Sequence, residues 1–243
     1  MTAWARRLAA SVAVAAVGIA ALSVPVAPAN GQTPQPDAVI VGDSLTGGNA
    51  TYIENSLRSN GLSNVWVEGL SSRKIAVSFQ SGGYVDSGIA RIRSLQDRGI
   101  RPELWVIQLG TNDLYSIKRC GCSDPVAFAG ALIDRLRAQI GPATPTAWVT
   151  VMDRADYDVT NTFNEALRRR AAVDPYFRMI DWAALSMNQP GWLSDGVHQT
   201  MAGLRAFSDM YVRDISALLR DLPGPPPPRA GTQTAVRLGS LLR

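Results

Sequence analysis

Apolar residues along this chain follow two rhythms. Compact apolar runs occur at Ala38–Val41, Leu104–Leu109 and Thr146–Val151, with shorter ones within Asn64–Glu68 and Phe177–Asp181. Runs of four to six such residues read as strands packed inside a sheet. Between them the apolar residues recur at helical spacing. Ala50–Asn60 carries the spacing of a helix, with Gly61 after it as a stop. In Asp86–Arg98, Ile89, Ile92 and Leu95 fall three apart and Gly99 ends the pattern. Asp124-Pro125 combines a capping side chain with a first-turn proline and opens a helix that runs to about Ile140, before Gly141-Pro142. Asn161–Ala172 and Thr200–Leu222 complete the helical set. Strands alternating with helices predict an α/β fold, a three-layer α/β/α sandwich around a central, mainly parallel five-stranded sheet.

Such a sheet binds ligands beyond the carboxyl ends of its strands. Asp43-Ser44, Gly69 and Gly110-Thr111-Asn112-Asp113 each follow a predicted strand directly. Three polar or glycine-bearing segments should therefore meet on one edge.

The ends of the chain break the alternation. Arg6 and Arg7 precede an apolar stretch from Leu8 to Val24, and Ala27-Pro28-Ala29 supplies small residues after it. This is the pattern of a secretory signal peptide over residues 1–29. The stretch, about 17 residues, is short of the ~20 that span a bilayer, so no stable membrane span is expected after cleavage. Residues 30–36 read as a linker, 37–222 as one domain, and 223–243, opening on Pro223-Gly224-Pro225-Pro226-Pro227-Pro228, as an extended proline-rich tail.

The formal charge of +4 belongs to those ends. Between Asp37 and Asp221 there are 19 Lys and Arg against 20 Asp and Glu, a difference of −1. That balance gives no basic footprint for nucleic acid. Gly47-Gly48 and Gly82-Gly83 lack the lysine and spacing of a phosphate loop. Cys120 and Cys122 flank Gly121, which permits a tight disulfide-closed turn in an exported protein; a pair of free thiols is the alternative. Two thiolates without a nearby histidine fall short of a zinc set, so no metal and no organic cofactor are implied.

The sharpest signal is the single histidine, His198, in Ser194-Asp195-Gly196-Val197-His198. A serine nucleophile needs a base that accepts a proton near neutral pH, and imidazole suits that task. If Ser44 is such a nucleophile, His198 is its only possible imidazole partner, and Asp195 is placed to orient the ring. Taken singly, Ser44 could be a helix cap, Gly69 a turn glycine and Asn112 a turn residue.

Taken in order, Gly42-Asp43-Ser44, Gly69, Gly110-Thr111-Asn112-Asp113 and Asp195-Gly196-Val197-His198 resemble the SGNH hydrolase superfamily, also called GDSL esterases and lipases. The resemblance spans about residues 38–220 and implies an SGNH, flavodoxin-like sandwich. It implies Ser44 as nucleophile, His198 as base and Asp195 as its orienter. The N–H groups of Ser44 and Gly69 and the Asn112 carboxamide would form the oxyanion hole. Gly69-Leu70-Ser71-Ser72 departs from the pattern at Ser72, where a second glycine is common. Ser72-Arg73-Lys74 has some similarity to a segment in SGNH domains of cell-wall acyltransferases, which makes Arg73 a candidate substrate contact or else a solvated charge. Asp153 and Arg154 fall where the family often has a substrate loop; an exposed ion pair is the other reading. Trp192 could stack on a sugar, wall an acyl pocket or simply pack.

The function expected from this resemblance is an exported or cell-envelope serine esterase. It would remove short, acetyl-like acyl groups, with a glycan-linked acyl ester as partner. An acyltransferase using the same acyl-serine, or a non-catalytic glycan-binding module on the same fold, are the alternatives.

Overall fold

The computed structural model describes residues 35–222. The expected leader, most of the linker and the proline-rich tail lie outside the described residues.

The five expected strands form one sheet. They are β1 (Ala38–Gly42), β2 (Val65–Gly69), β5 (Leu104–Gln108), β6 (Thr146–Val149) and β7 (Phe177–Ile180), in the order β2-β1-β5-β6-β7. Every neighbouring pair is parallel. A small antiparallel hairpin, β3 (Phe79–Gln80) with β4 (Tyr84–Val85), branches off after β2. The helices are α1 (Ser44–Gly47), α2 (Ala50–Ser59), α3 (Gly88–Asp97), α4 (Leu114–Lys118), α5 (Pro125–Ile140), α6 (Tyr157–Val173), α7 (Trp182–Met187) and α8 (Met201–Asp221).

Side chains alternate across a strand, so each central strand feeds two cores. Val39, Val41, Trp105, Ile107 and Trp148 face one layer, against Ile92, Leu95, Ile133, Leu136, Phe163 and Leu167 of α3, α5 and α6. Ala38, Ile40, Leu104, Val106 and Ala147 face the other, against Ile53, Leu57, Trp182, Phe207 and Tyr211 of α2, α7 and α8. This is the three-layer sandwich, and it explains why the strand runs are apolar throughout rather than alternating. Asp124 caps α5 by accepting from the N–H of Ala127, with Pro125 in the first turn as expected. Thr200 caps α8 in the same way. Cys120 and Cys122 are joined as a disulfide around Gly121, whose φ of 61° is one that glycine adopts freely. Among the described residues no helix is long and apolar enough to cross a membrane.

The structure departs from the sequence reading in two respects. Helix α6 begins at Tyr157, four residues before the expected Asn161. Its first turn holds Asp158 and buries a single apolar residue, Val159, beside the polar Thr160, so the apolar rhythm starts late. Helices α1, α4 and α7 and the β3–β4 hairpin are too short to carry a period.

Candidate active site

Strand β1 ends at Gly42 and the chain turns at once into α1. Asp43 caps that turn: its buried carboxylate accepts from the N–H of Leu45 at 3.0 Å. Thr46 donates its hydroxyl to Gln108 Oε1 at the end of β5, 2.9 Å away. Ser44 is thereby held on the carboxyl edge of the sheet, 154 positions from His198 in sequence. Its Oγ lies 3.0 Å from His198 Nε2.

His198 reaches that edge on a stiff loop. Ser194 N–H donates to the His198 carbonyl at 2.8 Å, and Leu193 bridges to Gln199. Asp195 turns back on the same loop, accepting from the N–H of His198 at 2.7 Å and of Val197 at 3.0 Å. Its second oxygen lies 2.8 Å from His198 Nδ1. With the Nδ1 proton donated to Asp195, Nε2 is left to accept the Ser44 hydroxyl. The backbone N–H of His198, the His198 ring and the N–H of Val197 hold the Asp195 carboxyl well below the usual carboxylate range. It stays ionised wherever imidazole can act as a base. The His198 and Asp195 side chains are 50% and 57% exposed. The arrangement is open to large substrates, and chemically it can strip a proton from Ser44 and carry it to a leaving group.

The candidate anion donors converge beside Ser44. Gly69, at the end of β2, abuts α1 so closely that a Cβ there would lie 2.2 Å from the nitrogen of Gly47. Only glycine permits that approach. Asn112 sits in a single 3₁₀ turn, Thr111–Asp113, after β5. Its carboxamide donates to Asp43 Oδ2 at 3.4 Å and to the Arg73 carbonyl at 3.3 Å. Gly110 opens that turn at φ 129°, with the Phe163 ring against it.

Two buried carboxyls lie beneath this edge, and neither was assigned a site role from the sequence. Burial pushes Asp43 up to about 6 and Asp113 up to about 7. Asp113 accepts from the N–H of Ile75 at 3.1 Å and so anchors the segment after Arg73. Between about pH 4 and pH 6 both carboxyls keep, in the folded protein, protons that the unfolded chain, with carboxylates near 3.8, has released. Stability should therefore fall as pH rises from about 4 through about 7, then level off. Asp195 acts in the opposite sense, but only below about 4. Urea unfolding at pH 5 and pH 8 checks this. Asp113→Asn should remove roughly 2 kcal/mol of the wild-type loss between those values. Equal losses in both proteins would refute it.

Three sequence expectations are overturned or narrowed. Arg73 is neither a solvated charge nor open to substrate. It is 3% exposed, with Nη1 donating to the carbonyls of Gly42 and Glu68 and Nε and Nη2 to Asp86. Asp153 and Arg154 do not form an ion pair with each other; each is held by backbone groups instead. Asp153 caps the turn into α6 by accepting from the N–H groups of Ala155 and Asp156. Arg154 donates to the carbonyls of Ser186, Gln189 and Pro190, while its own N–H bonds the Gly196 carbonyl. It straps the Asp195–His198 loop to the end of α7. Trp192 stacks on the buried Trp182, centroids 6.0 Å apart, and its carbonyl accepts from Thr200 N–H. Packing takes that face of the indole.

Comparison with known proteins agrees with this architecture. Residues 40–206 match the GDSL-like Lipase/Acylhydrolase family. Among curated proteins none matches the sequence. Among solved structures, similarity extends to a carbohydrate acetylesterase family member from Sinorhizobium meliloti (TM-score 0.58, 18% identity, 76% of this chain and 99% of that one). It extends also to the C-terminal catalytic domain of Streptococcus pneumoniae peptidoglycan O-acetyltransferase A (TM-score 0.57, 16% identity, 76% and 93%). A family 3 carbohydrate esterase from Clostridium thermocellum is similar too (TM-score 0.54, 16% identity, 76% and 98%). At these identities the likeness is one of fold.

Proposed function

This chain belongs to the GDSL-like lipase/acylhydrolase family, and from that premise we propose that it is an exported serine esterase removing short, acetyl-like acyl groups from carbohydrate or cell-envelope glycan. The observation that carries the reading is the 3.0 Å contact from Ser44 Oγ to His198 Nε2, backed by Asp195 at 2.8 Å. Ser44 Oγ attacks the ester carbonyl carbon as its proton passes to His198. The carbonyl oxygen gathers negative charge facing the N–H groups of Ser44 and Gly69 and the Asn112 carboxamide, donors worth about 3 kcal/mol each. The intermediate collapses, the alcohol leaves with the proton from His198, and the acyl group stays on Ser44. Water, deprotonated by His198, then releases the acid.

Exposure of the triad supports a polymeric substrate. The half-exposed His198 and Asp195 leave room for a polymer. Tyr115, 63% exposed near the start of α4, has the Arg119 guanidinium over one face of its ring and leaves the other open, and the exposed Tyr157 adds a second aromatic surface of the kind sugars stack on. The solved structures of similar fold include, by their names, a carbohydrate acetylesterase and a peptidoglycan O-acetyltransferase. The leader pattern in residues 1–29 supports export.

The transferase alternative differs only in the second half-reaction, where a sugar hydroxyl replaces water. The test is turnover of nitrophenyl acetate, butyrate and octanoate by the purified protein, with and without an added oligosaccharide. Acetate is expected to turn over fastest and octanoate poorly. Acyl transfer to the sugar in excess of hydrolysis would establish the transferase. A preference for octanoate would overturn the short-chain reading.

A further inference from the structure

The three proposed oxyanion donors come from three distant stretches of chain, and Arg73 bonds to the backbone beside two of them and to the side chain of the third. Its Nη1 donates to the Glu68 carbonyl at 2.6 Å. That carbonyl and the Gly69 N–H belong to one planar peptide unit, so fixing one aims the other. A cationic donor on the carbonyl also polarises the same N–H. The same Nη1 donates to the Gly42 carbonyl at 2.9 Å, two residues before Ser44. The Arg73 carbonyl, in turn, accepts from the Asn112 carboxamide at 3.3 Å.

The local backbone is built to bring the side chain inward. Ser72, immediately before it, stands at φ 64°, a left-handed conformation that costs a non-glycine residue about 1–3 kcal/mol. Asp86 balances the charge from the far side, through Nε at 3.0 Å and Nη2 at 2.8 Å. A buried ion pair is a weak source of net stability, because desolvation offsets its attraction. What this pair supplies is geometry. The planar guanidinium reaches two strand ends and a carboxylate together, which a lysine ammonium cannot do.

We infer that Arg73 is a positioning residue of the oxyanion hole. Its guanidinium sets the Glu68–Gly69 peptide and the end of β1, and its carbonyl sets the Asn112 side chain. The inference rests on the reading above that Ser44, Gly69 and Asn112 receive the oxyanion.

The test compares wild type, Arg73→Lys, Arg73→Ala and Ser44→Ala in nitrophenyl acetate turnover and in labelling by a fluorophosphonate. In the labelling, Ser44 Oγ displaces fluoride from phosphorus and the phosphoryl oxygen occupies the same hole. Circular dichroism and thermal melts report folding. Arg73→Lys should lower kcat about tenfold and Arg73→Ala about 10²-fold, as for ~1 Å misplacements, with KM within about twofold and labelling slowed in parallel. Added ethylguanidinium should restore part of the Arg73→Ala activity and none of the Ser44→Ala activity. A folded Arg73→Lys with wild-type kcat and labelling rate overturns the inference. So does an Arg73→Ala loss that equals its unfolded fraction. If wild type shows no turnover or labelling that depends on Ser44, the esterase reading itself fails, which is a different result from an active wild type with indifferent Arg73 variants.

Discussion

Ser44→Ala and His198→Ala are each expected to lower kcat on nitrophenyl acetate by about 10⁴-fold or more, and the double variant to lower it no further. A nucleophile and its base act as one unit, so removing either removes the covalent route. What survives is catalysis by the oxyanion donors and by binding alone. KM should change little, because neither side chain is needed to hold the ester before attack. Asp195→Asn should cost less than the roughly 10⁴-fold seen where the triad carboxylate is buried. Here Asp195 is 57% exposed and its attraction for the imidazolium is screened by water. Steady-state kinetics on the four variants, with mass analysis for an acyl adduct on Ser44, decides the matter. Near-wild-type rates in Ser44→Ala would remove the nucleophile assignment. Additive losses in the double variant would mean that the two side chains do not share one step.

How much of this was legible beforehand depended on the range of the interactions involved. Ser44, Gly69 and Asn112 are legible as candidates because each belongs to a segment that directly follows a run apolar enough to be a strand, and a parallel sheet gathers such ends on one edge. His198 was found because it is the single histidine. Asp195 lies three residues from it, so local geometry suffices. Arg73 was misjudged because its burial depends on partners far away in space: the Gly42 carbonyl, 31 residues earlier, and Asp86, 13 later. Charged residues are seldom buried, and nothing in Ser72-Arg73-Lys74 signals the exception. Arg154 failed for the same reason, since the carbonyls it binds lie 32 to 36 residues on. Asp43 and Asp113 stood inside the recognised motifs, yet their protonation follows from depth beneath the sheet edge, which spacing does not reveal. Trp192 offered an aromatic at a suggestive place, but whether its face meets a sugar or Trp182 is decided by how α7 docks.

Gly69→Ala should damage the site and the fold together, and its signature separates it from a generic core defect. The added methyl would lie 2.2 Å from the nitrogen and 2.3 Å from the Cα of Gly47, and 2.7 Å from the carbonyl carbon of Thr46. These are backbone atoms of α1, with no rotamer to give way. A Cβ added at Gly47 would likewise crowd β2, 2.8 Å from the Gly69 carbonyl carbon. Ordinary contact begins near 3.4 Å, so α1 and the end of β2 must part by about 1 Å, a shift of the size that costs about 10² in rate. Ser44 N–H rides on α1 and Gly69 N–H on β2, so that separation pulls two proposed donors apart, and where the end of β2 is the side that yields it leaves the Ser44–His198 pair in place. Overpacking of this kind costs about 1–3 kcal/mol of stability. Losing one oxyanion donor costs about 10²–10³ in kcat. The expected result is a folded but less stable protein with kcat down about 10²–10³-fold and KM nearly unchanged. Gly130→Ala serves as the contrast. It lies in α5 with open space around its Cβ, and the change should add up to about 1 kcal/mol of stability with activity untouched. If Gly69→Ala keeps the wild-type kcat while losing stability, the β2 end yields without disturbing the oxyanion, and Gly69 is a packing glycine rather than a donor. If it loses kcat at unchanged stability, α1 has moved as a unit, and the oxyanion hole is the softer part of the structure.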